Sequence, residues 1–165
     1  MFNKLLSIVI VVGSLVIVPV HNYAAEPHAT HQVIELTPDT LNLLRSEMKE
    51  IAGGMQAMSF SIATADWKSV QAISAKIRTS YIMEQKLTSS QKKELGRALP
   101  EHFKLLDAEF HQRAEKLGIA AAAHDSELTV FHYSRLVESC VRCHSAYASK
   151  RFPGFAAPTP KSHHH

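Results

Sequence analysis

Hydrophobic residues recur at every third or fourth position through most of the chain between Ala25 and Phe155, and no strand-like alternation interrupts them. This spacing predicts amphipathic helices. The first helix is predicted to begin at Thr37-Pro38-Asp39, which combines a hydroxyl cap, a proline at the first helical position and an acid in the first turn. Its apolar positions form a narrow seam typical of antiparallel bundles, made of Leu41, Leu44, Met48, Ile51, Met55, Met58 and Ile62.

The middle of the chain predicts two further helical segments. A second helix is expected to start at Thr64 or Asp66 and to end near Met83, with its apolar residues on one stripe. A short helical segment from Lys92 to Leu99 follows. Pro100 stops that segment, because proline lacks the backbone N–H that would continue it, but proline suits the first turn of a new helix.

Two long helices are predicted after this proline. The third carries an apolar stripe made of Phe103, Leu106, Phe110, Ala114, Leu117 and Ala121. The fourth is capped by Asp125 or Ser126. Its inward stripe is predicted to contain Val130 or Phe131, then Tyr133, Leu136, Cys140, Cys143 and Tyr147. Residues 37–152 therefore predict an all-α fold, an antiparallel four-helix bundle.

The fourth helix carries the pentapeptide Cys140-Val141-Arg142-Cys143-His144. Two thiols three positions apart, followed at once by an imidazole, form the attachment pattern of a c-type haem. The two sulfurs can add across the two vinyl groups of one porphyrin, and His144 can then ligate the iron from the proximal side. These are the only two cysteines in the chain. The pattern predicts one covalently bound haem c near one end of the bundle.

Three other uses of the thiols compete with haem attachment. A zinc site would need two more ligands at similar spacing, and the sequence has no second cysteine pair. A structural disulfide is compatible with an exported protein but would close a very small ring. A thioredoxin-like dithiol belongs on a βαβ unit, and no strand pattern flanks the motif. Haem attachment is the favoured interpretation.

The first 25 residues predict a secretory signal peptide. A short basic segment containing Lys4 precedes an apolar run from Leu5 to Val18, which is too short for a comfortable membrane span. Cleavage is expected after Ala24 or Ala25, and a signal left uncleaved would instead serve as a membrane anchor. Because bacteria attach haem covalently outside the cytoplasmic membrane, the signal and the haem motif both predict a periplasmic protein.

The flanking segments and the charge add little to this picture. Residues 26–36 are predicted to be a flexible N-terminal segment, and residues 153–165 a tail that closes with three histidines. The 18 basic residues fall to 17 when Lys4 leaves with the signal, against 15 acidic residues. This near-neutral chain has no basic patch of the kind that binds nucleic acid, so no nucleic-acid partner is predicted.

The chain resembles the cytochrome c′ family, including its low-spin, methionine-ligated relatives. The resemblance covers residues 36–152 and rests on a signal peptide, four helices, a ligand position in the first helix, and a terminal helix with Cys140, Cys143, His144 and the later aromatic Tyr147. It implies a haem wedged into one end of the bundle, with His144 proximal and the first helix on the distal side. Many relatives form homodimers through that helix.

The sixth ligand is predicted to be Met48. The first and fourth helices should be antiparallel neighbours, so a partner for His144 should lie in the first half of the first helix. Met48 lies about 15 Å along the axis from Pro38 at 1.5 Å per residue. Met55 and an iron without a second protein ligand remain alternatives, since methionine on a helical seam is commonly core. The histidines considered as rivals are His111 and His132.

Two functions follow from the ligand set. With His144 and Met48 on the iron there is no open site, which predicts a periplasmic electron-transfer protein that meets redox partner proteins and is not an enzyme. With an open distal side, the resemblance implies binding of nitric oxide or carbon monoxide instead. A peroxidase would need a distal base at an open iron, and no distal His–Arg pair is evident in the sequence.

Overall fold

The computed structural model describes residues 34–155, so the predicted signal peptide, its predicted cleavage site and the final ten residues lie outside the described range. Within this range the chain is helical and contains no strand, which confirms the all-α prediction. None of its helices is long and apolar enough to cross a membrane. Six α-helices pack together: α1 (Pro38–Ala63), α2 (Trp67–Arg78), α3 (Met83–Lys86), α4 (Ser89–Ala98), α5 (Glu101–Ala122) and α6 (Ser126–Tyr147), followed by a 3₁₀ turn (Pro153–Phe155).

Helix α1 begins at Pro38, as predicted, but the side chain that accepts hydrogen bonds at its start comes from another helix. The Thr37 hydroxyl accepts no capping hydrogen bond from a backbone N–H of α1 and instead lies 3.0 Å from the Thr40 hydroxyl, to which it donates. The Glu94 carboxylate of α4 accepts hydrogen bonds from the Thr37 backbone N–H, from the Thr37 hydroxyl at 2.9 Å and from the Thr40 hydroxyl at 2.6 Å. A negative charge at a helix N-terminus also suits the helix dipole. This contact ties α4 to the start of α1.

Helix α2 is shorter than predicted. Its start is confirmed, because the Asp66 carboxylate caps it by accepting from the Ser69 backbone N–H at 3.1 Å. It ends at Arg78 rather than near Met83, since Ser80 adopts a left-handed backbone with φ of 59° that a helix cannot continue. The turn leads into the short α3, which periodicity did not predict.

Side-chain caps also mark the starts of α4 and α6. Thr88 and Gln91 form a reciprocal capping box at the start of α4. Leu99 and Pro100 separate α4 from α5. The Asp125 carboxylate accepts from the Leu128 backbone N–H at 2.9 Å and caps α6, as predicted.

The helices alternate in direction. At one end, Trp67 at the start of α2 stacks against His124, which follows α5, with ring centroids 6.4 Å apart. At the other end, Tyr147 of α6 hydrogen-bonds His102 of α5 at 3.0 Å, and Glu47 of α1 bonds the turn after α2. The Cys140–His144 motif on α6 therefore lies at the same end of the molecule as the starts of α1 and α5.

The apolar core lies between α1, α2, α5 and α6. Helix α5 packs extensively against both α2 and α6, α1 packs against α2, and α1 meets α6 along only a short stretch. Small residues allow close approach: a Cβ on Gly118 would lie 3.2 Å from Ser74. The core consists of Ile51, Met55, Met58, Val70, Ile77, Ala114, Leu117, Ala121 and Leu136.

One part of the predicted inward stripe of α6 is wrong. Val130 and Phe131 are 53% and 54% exposed, and the fully buried residue in this turn is Thr129. Thr129 and Leu136 are seven residues apart and therefore share a helix face. The Thr129 hydroxyl donates to the Asp125 carbonyl at 2.6 Å, so its side chain is buried with its hydrogen bond satisfied.

Candidate functional site

A cavity of about 580 Å³ lies where α1 and α6 diverge, with α5 forming its third wall. This volume is within the range of small-molecule and cofactor sites. The cavity brings together all four residues predicted to form the site, since Cys140, Cys143, His144 and Met48 line it. Most of its remaining wall is apolar and includes Ile51, Ala52, Met55, Leu106, Phe110 and Val137.

Helical spacing explains how α6 presents the motif. Tyr133, Val137, Cys140 and His144 follow one another at intervals of three or four residues and therefore face the same side. Cys143 lies seven residues after the buried Leu136 and borders the cavity from the core side. Both cysteines are half-buried free thiols. The spacing thus directs both sulfurs and the adjoining imidazole into one space.

Helix α1 faces the same space with two of its three seam methionines. Met48 and Met55 line the cavity, whereas Met58 is fully buried in the core. Met48 was predicted to lie on the packed seam, yet it is 40% exposed. The reason is that the seam at this height faces the cavity and its opening rather than another helix.

The Tyr133 hydroxyl fixes the register between the two helices. It donates to the Met55 backbone carbonyl at 3.2 Å, so these two residues lie at the same height. In antiparallel helices, moving seven residues from Met55 back to Met48 covers about 10 Å, as does moving from Tyr133 forward to Cys140. Met48 is therefore level with Cys140, and Met55 lies about two helical turns away from Cys140.

A charged network holds α6 against α5 beside the motif. The largely buried Arg113 of α5 donates to the Ser139 hydroxyl at 2.9 Å and to the Glu109 carboxylate. Arg142, between the two cysteines in sequence, donates to the other Glu109 oxygen at 2.8 Å. Burial acts to raise the pKa of Glu109, but the two guanidinium groups together hold it below its usual value. The network fixes the rotation of α6 next to the cavity.

Both thiols are protonated at neutral pH. Burial raises the pKa of Cys140, and burial together with the nearby Asp107 carboxylate raises the pKa of Cys143 to about 11. Reactive and metal-binding cysteines instead have lowered pKa values and lie in electropositive surroundings. No group of three or more His, Cys, Asp or Glu side chains within residues 34–155 is arranged to hold a metal ion by itself. The raised pKa values do not favour a reactive thiolate at either position.

The three candidate histidines differ in what they can bind. Burial lowers the pKa of His144, which keeps its imidazole neutral and able to act as a ligand, and its ring stacks on Phe152 at 4.8 Å between centroids. His111 lies outside the cavity lining: its Nδ1 is 2.6 Å from the Ile77 carbonyl, and its Nε2 faces Asp107 at 3.6 Å. His132 also lies outside it and packs on Phe131.

Sequence reasoning missed three residues around the site. Asp107 lines the cavity, and its position four residues before His111 on one helix was the available signal. Glu47 and Arg113 are buried although charged residues are normally exposed, so the hydrophobic pattern did not single them out. Glu47 pairs with the distant turn after α2, and Arg113 pairs partly with α6, so these contacts could not be identified from local sequence.

The site brings two thiols, one neutral imidazole and one thioether to the walls of a single apolar cavity. A haem iron takes four ligands from its porphyrin, so a protein needs to supply only one or two side chains to it. These residues therefore fit the attachment and axial ligation of a haem. The chain matches no protein-family model, and comparisons with curated proteins and with solved structures give no match.

Proposed function

We propose that this protein is a periplasmic electron carrier with one covalently attached haem c in the cavity between α1, α5 and α6. The proposal rests on one observation. Met48 of α1 lines the same cavity as Cys140, Cys143 and His144 of α6, although the two helices are far apart in sequence. Export to the periplasm is supported by the signal-like sequence of the first 25 residues. The protein would not be an enzyme.

The fold proposed for this carrier is an antiparallel four-helix bundle similar to that of the cytochrome c′ family. The four longer helices α1, α2, α5 and α6 would form the bundle, and α3 and α4 would be an insertion between its second and third members. This is supported by contacts between α1 and α2, α2 and α5, and α5 and α6, with a shorter contact that closes the ring between α1 and α6.

Each residue of the site has a defined role in this proposal. Cys140 and Cys143 would hold the porphyrin through two thioether bonds, with His144 as the proximal axial ligand and Met48 as the distal one. The haem would supply an iron that accepts and releases one electron. Methionine as second ligand raises the reduction potential compared with a second histidine. The mostly apolar walls would limit the access of water to the iron.

Partner proteins would meet the carrier at the cavity mouth. Met48 on α1 and Val137 on α6, which both line the cavity, are each 40% exposed. Small apolar surfaces of this kind suit the brief, low-area encounters of electron-transfer proteins. Electrons would leave through the porphyrin edge nearest to this opening.

A second candidate function is binding of nitric oxide or carbon monoxide at a five-coordinate iron. The observation that favours it is the exposure of Met48, because a ligand at the rim of an open cavity is held by few packing contacts. In this case Met48 would leave the iron readily and the small ligand would occupy the apolar distal space.

The absorption spectrum of the purified holoprotein, recorded before and after carbon monoxide is added to the reduced form, separates the two functions. The electron-carrier proposal predicts a low-spin spectrum that carbon monoxide changes slowly or not at all. Met48→Ala should convert it to a high-spin, carbon-monoxide-binding form, and the matched variant Met55→Ala should not. A wild-type spectrum that is already high-spin would favour the gas-binding function.

A further inference from the structure

We propose that Glu47 is a positioning residue that holds Met48 at the height of the iron. This inference rests on the proposed function, because it takes Met48 to be the distal ligand. Glu47 is adjacent to Met48 on α1 but points to a different side of the helix. It is only 3% exposed, and its carboxylate joins α1 to the turn between α2 and α3.

Three consecutive backbone N–H groups donate to this carboxylate. Tyr81 donates to Oε1 at 2.7 Å, and Ile82 and Met83 donate to Oε2 at 2.6 and 3.1 Å. Hydrogen bonds to an ionised acceptor are short and about twice as strong as neutral ones. A buried carboxylate without such partners would be very costly, so α1 and this turn are constrained to stay in register.

Glu47 lies closer to Met48 than any other residue that fixes α1 through the polar contacts described above. Glu47 and Met48 differ by about 1.5 Å along the helix axis and about 100° around it. The other polar contacts that fix α1 are farther away, at Thr37 and Thr40 near its start and at Met55 two turns on. Met48 itself is 40% exposed and gains little restraint from packing. Glu47 is therefore the fixed point that sets the rotation of α1 at Met48.

Loss of this anchor should loosen the sulfur–iron bond without removing the sulfur. Glutamine has the same length as glutamate but only one accepting oxygen, and its NH₂ group would face a backbone N–H donor. At least one of the three backbone N–H groups would then lose its acceptor, and the turn of α1 around Met48 could rotate. Changes of this kind around a ligand typically weaken metal binding by about 10- to 100-fold.

The test compares Glu47→Gln with Glu94→Gln in the holoprotein. Both acids anchor α1 by accepting hydrogen bonds from another segment, but Glu94 acts at Thr37 and Thr40, about 12–16 Å from Met48 along the helix. We expect Glu47→Gln to raise the rate of carbon monoxide binding to the reduced protein about 10- to 100-fold, with a high-spin fraction in the oxidised spectrum. Glu94→Gln should leave both unchanged.

The outcomes separate this inference from the proposed function. If Met48→Ala changes the spectrum but Glu47→Gln behaves like Glu94→Gln, the positioning role is wrong and the ligand assignment stands. If Met48→Ala leaves the spectrum unchanged, the ligand assignment itself is wrong. Should Glu47→Gln fail to fold, Glu47→Asp keeps the charge with a shorter reach. It should increase carbon monoxide binding to an intermediate degree, and a wild-type rate would overturn the inference.

Discussion

The Tyr133 hydroxyl donates a hydrogen bond to the Met55 carbonyl at 3.2 Å, and this contact brings the two residues level on α1 and α6. Seven residues farther along the two antiparallel helices, Met48 is level with Cys140. Met55 is about two turns away from Cys140 along the axis. Met55 instead contributes to the wall and to the core. In the proposed haem site, the choice of Met48 as ligand therefore depends on a hydrogen bond two helical turns away.

Removing that hydrogen bond should lower stability modestly. We expect Tyr133→Phe to lower the free energy of unfolding by about 0.5–1.5 kcal/mol, the usual net contribution of one protein hydrogen bond. Tyr147→Phe is the control, because the Tyr147 hydroxyl pairs with an exposed histidine, His102, and should cost less than about 0.5 kcal/mol. Urea denaturation measures both, and equal losses would argue against a register role for Tyr133.

The two adjacent glycines of α1 should respond in opposite directions to alanine. A Cβ on Gly54 would lie 2.2 Å from the Tyr81 hydroxyl oxygen, whereas a Cβ on Gly53 meets nothing within 4 Å. Gly53→Ala should stabilise the protein by up to about 1 kcal/mol, the helix preference of alanine over glycine. Gly54→Ala should destabilise it by about 1–3 kcal/mol through overpacking.

Tyr81→Phe tests the cause of that loss. The Tyr81 hydroxyl is buried and has no hydrogen-bond partner within the described residues, so its removal alone should cost little. In the Gly54→Ala background, Tyr81→Phe should recover much of the lost stability. Thermal unfolding of the four proteins gives the coupling between the two sites. Strict additivity would contradict the proposed clash.

The contribution of His111 to stability should fall as pH rises from 6 to 8. The Asp107 carboxylate, 3.6 Å from Nε2, raises the pKa of His111 above its usual value and outweighs the opposing effect of burial, and the Ile77 carbonyl and Glu47 act in the same direction. A group whose pKa is higher in the folded state stabilises the fold below its unfolded pKa, about 6.5. That contribution disappears as pH rises through the folded value.

The variant Asp107→Asn removes the charge that produces most of this effect. Denaturant unfolding at pH 6 and pH 8 should therefore show a smaller pH dependence in Asp107→Asn than in the wild type. The lowered pKa values of His132 and His144 act in the opposite direction in this range, but both proteins carry these histidines, so the comparison isolates His111. An identical pH dependence in both proteins would rule out His111 as its source.

The two arginines that share Glu109 should contribute unequally. Arg113 has an 11% exposed side chain and also donates to groups on α6, while the side chain of Arg142 is 44% exposed. Arg113→Ala should cost about 1–3 kcal/mol, as expected when buried acceptors lose their donor. Arg142→Ala should cost less than about 1 kcal/mol, typical of a surface pair. Chemical denaturation distinguishes them, and the reverse order would contradict the assigned burial.

The sequence predicted what depends on local chemistry. The starts of α1, α2 and α6 followed from Pro38, Asp66 and Asp125, because proline at a first position and capping carboxylates act within one turn. The candidate site followed from the spacing of Cys140 to His144. The choice of Met48 followed from the rise per residue and the expected antiparallel arrangement of helices.

The sequence did not predict what depends on distant contacts. The early end of α2 requires Ser80 in a left-handed conformation and a carboxylate from Glu47, more than thirty residues earlier. Val130 and Phe131 were assigned to the core because hydrophobicity alone cannot fix the rotation of a helix, which here follows Thr129 and Arg113. Buried charged residues are rare, so pattern reasoning places them on the surface.

The intact mass of the protein, measured after expression with export and haem attachment and then denaturation, tests the central claim most directly. Covalent attachment through Cys140 and Cys143 predicts a polypeptide heavier by one haem, with no thiol left to alkylate. Cys140→Ser together with Cys143→Ser should remove the added mass. A wild-type protein with the mass of the bare chain and two alkylatable thiols would contradict the account.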